Sequence, residues 1–151
     1  EFYYDEKRDR TWLLEINPRI SQSHSDLFQK VDGYSNLRIL VDVALGNRPA
    51  RTPGGGAFRY AAKHFLRHFE DAYVAGVPSE EDIRALQEEV PGTLVDIHVH
   101  PGMRLSELHE QDSYSYELGF LFVGAEDRRQ LLDRIRLCEE RLPFHFQPVG
   151  A

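Results

Sequence analysis

Three polar residues near the start of the chain have the types and spacing of a site for a metal ion and a phosphate. Glu15, Asn17 and Arg19 lie two residues apart, directly after an apolar run at residues 11–14. Because side chains alternate along a strand, we expect all three to project from one face of the sheet. Carboxylate and amide oxygens suit Mg²⁺ or Mn²⁺, and a guanidinium can hold a phosphate through two hydrogen bonds. The spacing therefore predicts a metal–nucleotide phosphate site.

A charged stretch upstream predicts a β-hairpin that adds a second carboxylate. Residues 6–10 (EKRDR) separate two runs rich in apolar and aromatic side chains, as expected for an exposed turn between paired strands. In an antiparallel pair, Glu1 lies opposite the end of the second strand, near Glu15 and Asn17. Two carboxylates at one point repel each other unless a cation lies between them. We therefore expect Glu1, Glu15 and Asn17 to share one divalent cation.

The motif around these residues resembles that of a known superfamily. The hairpin followed by LLEINPRISQSHS is similar to the C-terminal half of the ATP-grasp ligase domain, found in biotin carboxylase and carbamoyl phosphate synthetase. The later stretch VDGYSNLRILVDVALGNRP resembles the helix that follows the metal strand in that superfamily. Residues 112–142 resemble the C-terminal subdomain of its biotin-carboxylase-like branch. The resemblance is specific over residues 1–53.

The resemblance implies an α+β fold with antiparallel sheet and packed helices. Residues 1–53 would form the C-terminal part of the ATP-grasp lobe, and residues 54–151 would form an α+β subdomain packed on it. The lobe that clamps the nucleotide lies N-terminal to this half in the superfamily. We therefore expect the chain to be a fragment of a longer ligase and to be inactive alone.

The resemblance also implies a role for each residue of the motif. Glu1, Glu15 and Asn17 would bind Mg²⁺ or Mn²⁺, with ATP as co-substrate, and Arg19 would steady the transferred phosphate and an acyl-phosphate intermediate. His24 could contact the nucleotide or substrate or carry a proton, or it could hold the turn by hydrogen bonding to the backbone.

Two serines argue against one branch of the superfamily. Ser21 and Ser23 stand where the biotin-carboxylating members have a glutamine and a glutamate that acts as a base. Serine cannot replace that base, so the expected reaction joins a small carboxylate to an amine rather than carboxylating biotin.

The segment VDIHVHPG is the main competing motif. His98 and His100 would share a face of a strand at residues 95–99, as in the zinc-binding strand of amidohydrolases, and His109 could be a third ligand. That motif opens a barrel of about 250 residues, whereas only 51 residues follow His100 here. We expect the two histidines on the solvated face of a strand and keep the zinc site as an alternative.

Composition limits the function classes. With 25 acidic and 18 basic residues the formal charge is −7, which argues against a nucleic-acid surface. No apolar run approaches the roughly 20 residues that span a bilayer. Cys138 is the single cysteine, which is compatible with a reducing cytoplasm, and its place on an apolar helix face predicts burial. Aromatic density at residues 58–73 leaves open a non-catalytic scaffold that forms a homodimer.

Local patterns predict the remaining elements. Serines cap three predicted helices: Ser25 for residues 26–31, which Gly33 would end, Ser35 for a helix ended by Gly46 and Pro49, and Ser79 for a helix to about residue 90. Further elements are predicted as strands at residues 95–99 and 114–123, a linker at residues 47–56 and a helix at residues 127–142. The pattern of residues 57–75 is ambiguous between helix and strand, and the resemblance to the ATP-grasp superfamily favours strand.

Overall fold

The computed structural model describes residues 1–49, 53–109 and 111–150, and in them the chain is a mixed α+β protein with antiparallel strand pairing throughout. Its elements are β1 (Phe2–Asp5), β2 (Arg10–Leu13), α1 (Gln22–Asp32), α2 (Asn36–Ala44), β3 (Tyr60–His68), β4 (Ala72–Gly76), α3 (Glu80–Glu89), β5 (Leu94–Ile97), β6 (Gln111–Asp112), β7 (Ser115–Ala125), α4 (Arg128–Arg141) and β8 (His145–Pro148).

Strand β7 is the centre of the main sheet. It pairs with β3 on one side and with β5 on the other, and β6 pairs with its first residues. Leu121 and Val123 of β7 are fully buried in the same hydrophobic cluster as Leu131 and Cys138 of α4. Because side chains alternate along a strand, the residues between them project from the opposite face. The main core therefore lies between this sheet and α4, and the predicted burial of Cys138 is confirmed.

Helix α3 begins with a capping box. The Ser79 hydroxyl accepts from the Asp82 backbone nitrogen, and the Asp82 carboxylate accepts from the Ser79 backbone nitrogen. These two bonds satisfy amide donors that have no partner inside the helix. Leu86 is buried in the core, and Arg141 of α4 donates two hydrogen bonds to Glu89 of α3 at 3.0 Å. The predicted helix and its cap are confirmed.

Helix α1 packs against β3 and β7 and is longer than predicted. It begins after Ser21 rather than Ser25, because the Ser25 hydroxyl instead donates to Asn36 at 2.6 Å and links α1 to α2. Gly33 ends the helix in a left-handed conformation, as predicted. A Cβ at Gly56 would lie 2.1 Å from the Lys30 carbonyl oxygen, so only glycine lets this loop approach α1.

Other predictions are confirmed in part. Helix α2 follows its predicted cap, Ser35, whose side chain accepts from the Arg38 backbone nitrogen. Residues 57–75 contain β3 and most of β4, so the strand favoured by the resemblance is present there as two strands. Strand β5 ends at Ile97, two residues short of the predicted end. Residues 50–52 of the predicted linker lie outside the described residues.

Apolar side chains of the first 45 residues are largely exposed. Helix α2 has no buried residue, whereas the hydrophobic core extends from Leu66 to Leu142. The most exposed apolar residues of this region are Phe2 (71%), Ile16 (74%) and Leu45 (71%). Among the helices of the described residues, none has the length and apolar character needed to cross a membrane.

Candidate metal and phosphate site

The turn of the β1–β2 hairpin is held by its own polar side chains. The Asp5 carboxylate accepts from the Lys7 backbone nitrogen at 3.1 Å and from the Arg8 guanidinium at 3.0 Å. Asp9 has a φ of 47°, a left-handed conformation that aspartate tolerates better than most residues. The Tyr4 hydroxyl donates to the Asp9 carboxylate at 2.8 Å, which raises the pKa of Tyr4. These contacts fix the turn and hence the register of the strands.

At the open end of the hairpin, main-chain hydrogen bonds join Glu1 to the segment that carries Glu15 and Asn17. The Glu1 nitrogen donates to the Glu15 carbonyl oxygen at 2.6 Å, and the Leu14 nitrogen donates to the Glu1 carbonyl oxygen at 2.9 Å. The Asn17 side chain donates from Nδ2 to Oε1 of Glu15 at 2.8 Å. Glu1, Glu15 and Asn17 are all exposed to solvent. The hairpin therefore joins Glu1 to Glu15 through the main chain and Glu15 to Asn17 through side chains.

The prediction that these residues share one strand face is wrong. Strand β2 ends at Leu13, so Glu15, Asn17 and Arg19 lie in an irregular segment. Pro18 has no N–H with which to extend a ladder through this segment. The side chains of Glu15 and Asn17 are therefore close because they form a hydrogen bond with each other, and not because they alternate along a strand.

Arg19 lies in a tight turn beyond the predicted metal ligands. Its backbone nitrogen donates to the Asn17 carbonyl oxygen at 2.9 Å, and the residue is exposed. No carboxylate oxygen among the described residues lies within 4 Å of its guanidinium. A guanidinium without a carboxylate partner retains its donors for a phosphate or another anion.

His24 lies in the first turn of α1 and contacts the residue before the helix. Its Nδ1 is 2.7 Å from the Ser21 hydroxyl oxygen. One expectation was that the His24 ring would bond to the backbone, but it bonds to a side chain instead. The ring also lies 6.1 Å from Phe28. His24 therefore helps to fix the start of α1, five residues after Arg19.

The donor set fits a hard divalent cation. Glu1 and Glu15 supply carboxylates and Asn17 supplies an amide oxygen, which are the ligand types that Mg²⁺ takes together with water and phosphate oxygens. Within the described ranges, no three histidine, cysteine or acidic side chains already surround one point. Glu15 and Asn17 are thus the two predicted ligands whose side chains are held together by a hydrogen bond.

The two histidines of the competing motif do not share a strand face. Both follow the end of β5, since β5 stops at Ile97. His98 lies 3.4 Å from Glu117 and 3.6 Å from Asp96, whereas Nδ1 of His100 lies 3.1 Å from the Pro101 carbonyl oxygen. His109 is an exposed residue after a short 3-10 turn at Leu105–Glu107. The histidines of this motif therefore make separate contacts.

A second polar feature was not identified from the sequence. Lys63 of β3 and Asp96 of β5 line a cavity between α1 and the sheet, together with aromatic side chains of β7. The sequence pattern around Lys63 is ambiguous between helix and strand, so it does not show which residues lie beside it. The alternation of Phe120 and Phe122 with Leu121 and Val123 was the available signal.

Comparison with known proteins gives no match to this chain, either among family models, among curated proteins or among solved structures.

Proposed function

We propose that the chain is the metal-binding C-terminal part of an ATP-grasp ligase, which joins a small carboxylate to an amine at the expense of ATP. The observation that carries this proposal is the open end of the hairpin, where Glu1, Glu15 and Asn17 are linked by hydrogen bonds of 2.6 and 2.8 Å. Arg19 follows without a carboxylate partner among the described residues. This order of residues is also the one that resembles the superfamily.

The proposed reaction has two steps. A substrate carboxylate oxygen attacks the γ-phosphorus of ATP and ADP leaves, and an amine then attacks the acyl carbon and releases phosphate. When bound, Mg²⁺ neutralises charge on the phosphate oxygens. Glu1, Glu15 and Asn17 would hold the metal, while Arg19 would bind the transferred phosphoryl group through its guanidinium. His24, beside the Ser21 hydroxyl, would position the chain between Arg19 and α1.

The exposed apolar residues are consistent with this proposal. Side chains of β1, β2 and α2 bury little surface within the chain, and apolar residues in such number are usually covered by another part of a protein. We assign this cover to the nucleotide-clamping lobe of the same ligase. The proposed setting is the cytoplasm, where ATP and a reduced Cys138 are both expected.

The test is ATP turnover by the complete ligase with single substitutions. Glu15→Gln keeps the size of the side chain and its bond to Asn17 but removes a metal-binding charge, and Arg19→Ala removes the phosphate donor. We expect each to lower kcat at least 100-fold with an unchanged circular dichroism spectrum. Glu6→Gln in the hairpin turn and Arg129→Ala on the exposed face of α4 are the matched controls. Normal turnover in both site variants would overturn the proposal.

A non-catalytic homodimer is the second candidate, and the exposure of aromatic residues favours it. Phe69 is 67% exposed, Tyr60 45% and Tyr73 41%, within the region expected to bury against a partner. Sedimentation velocity from 5 to 200 µM (about the range over which weak dimers form) tests this candidate. A monomer throughout, with ATPase activity in the complete protein, removes it.

A further inference from the structure

A cavity of about 430 Å³ lies between the start of α1 and the sheet face opposite α4. Its volume is within the range of small-molecule sites, and like them it is mainly apolar with a few polar groups. The residues that line it are Ser23, Lys63, Leu94, Val95, Asp96, Phe120 and Phe122.

Strand register explains why these residues meet. Lys63 of β3 lies opposite Phe122 of β7, which lies opposite Leu94 of β5. In the neighbouring row, Phe120 lies opposite Asp96. Cross-strand partners project from the same face, so one lysine and one aspartate border a surface formed by two phenylalanine rings.

Lys63 is a positively charged residue that lines this cavity, and its ammonium group has no carboxylate partner among the described residues. Its Nζ lies 3.7 Å from the ring centroid of Phe120, a cation–π contact, and the residue is half-buried. No carboxylate oxygen of the described residues is within 4 Å of Nζ. Lys30, a buried residue of α1, shows the contrast because it is paired with Asp26 of the same helix at 2.8 Å. An ammonium group that is half-buried without a carboxylate favours an anionic ligand.

Asp96 does not supply that anion. Its Oδ2 lies 3.6 Å from Nε2 of His98, and its side chain is 60% exposed, so the carboxylate is directed to the rim. The rings of His98 and Phe120 pack edge to face, with their centroids 5.1 Å apart. The interior of the cavity thus presents Lys63 and aromatic carbon, with the negative charge of Asp96 near solvent.

We propose that this cavity binds a small organic anion, namely a carboxylate attached to an apolar, planar body. The carboxylate pairs with Lys63, and the body packs between Phe120, Phe122 and Leu94. Ser23 offers a hydroxyl for a further hydrogen bond. The site is built from α1, β3, β5 and β7 and does not depend on metal or nucleotide, so it stands or falls separately from the ligase proposal.

The test compares 3-phenylpropionate with 3-phenylpropionamide, which has the same shape and no charge. Titrations of the ¹⁵N-labelled 151-residue chain are followed by NMR. We expect the acid to bind at least five-fold more tightly than the amide, with shifts in α1, β5 and β7. Lys63→Met keeps the apolar stem and should abolish the preference, whereas Lys63→Arg and Lys7→Met, a lysine in the hairpin turn, should retain it.

Asp96→Asn gives an independent readout if Lys63→Met does not fold. Removal of the rim charge should tighten acid binding about two-fold and leave amide binding unchanged, since only the acid is repelled by Asp96. Equal affinity of acid and amide in the wild-type chain would overturn the proposal. Shifts centred outside the cavity, or no shifts at millimolar acid, would also overturn it.

Discussion

Gly119→Ala should destabilise the protein by far more than an ordinary glycine substitution. Gly119 has a φ of 154°, and a Cβ there would lie 2.2 Å from the Asp96 carbonyl oxygen of β5. Ordinary contacts are longer by about 1 Å, so β5 would have to move away from β7. That movement would disturb the pairing of Ile97 with Gly119 and the 2.9 Å bond from the His98 nitrogen to the Leu118 carbonyl oxygen.

The magnitude follows from two contributions. Backbone strain at such a φ costs about 1–3 kcal/mol, and two weakened backbone hydrogen bonds cost about 1 kcal/mol each. We therefore expect a loss of about 3–5 kcal/mol, or about 10 °C in Tm for a chain of this length. Urea and thermal unfolding followed by circular dichroism measure both quantities.

Gly102→Ala is the matched control because Gly102 also has a positive φ, 93°, but its added Cβ would meet nothing within 4 Å. It should show only the strain contribution, about 1–2 kcal/mol. Equal losses in the two variants would refute the close approach of β5 to Gly119. A larger loss in Gly119→Ala alone supports it.

Two further predictions concern titratable groups. Arg104 donates two hydrogen bonds to Asp71, at 2.9 and 2.7 Å, and the Ser106 backbone nitrogen donates a third, so the pKa of Asp71 is lowered. The Asp71 carboxylate therefore binds a proton more tightly in the unfolded chain than in the folded protein. The stabilisation that the ionised Asp71 contributes is present above about pH 4, and it is lost as the pH falls through the lower pKa of the folded state. Urea midpoints from pH 7 to pH 2.5 should fall less steeply for Asp71→Asn than for wild type or Asp133→Asn, and equal slopes would contradict the prediction. Burial raises the pKa of the Cys138 thiol. The thiol should therefore react only slowly with a disulfide reagent at pH 8 until urea unfolds the chain. Fast reaction in the folded protein would contradict this prediction, because it would show that Cys138 is accessible.

Local signals in the sequence predicted the elements that local contacts stabilise. The caps at Ser35 and Ser79 are such cases, because each hydroxyl bonds the amide three residues later. The hairpin is another, since its turn is fixed by contacts between residues 4 and 9. The predicted start of α1 was wrong because SQSHS contains three serines that could each cap the helix. The contact that keeps Ser25 inside the helix, its hydrogen bond to Asn36 of α2, is not visible in the local sequence.

Pairing between strands that are distant in the sequence determines the end of β5 and the position of Lys63, which the sequence pattern did not predict. Strand β5 ends early beside Gly119, where the register between β3 and β7 shifts at Leu66/Arg67. The sequence near His98 contains no signal for this early end. The position of Lys63 over Phe120 likewise depends on pairing between residues about 60 positions apart in the chain. The main-chain contact of Glu1 with Glu15 was predictable because a single hairpin joins them, whereas the expected common strand face of Glu15, Asn17 and Arg19 was wrong.

The site at the open end of the hairpin is tested most directly by Mn²⁺, whose unpaired electrons broaden NMR signals of nearby nuclei. In the 151-residue chain we expect weak binding, since few protein ligands are present without phosphates, and broadening centred on the amides of residues 14–19. Glu15→Gln and Asn17→Ala should abolish it, whereas Glu6→Gln should not. Broadening centred on another acidic stretch, such as residues 80–82, or unchanged broadening in Glu15→Gln, would contradict the assignment of Glu1, Glu15 and Asn17 as metal ligands.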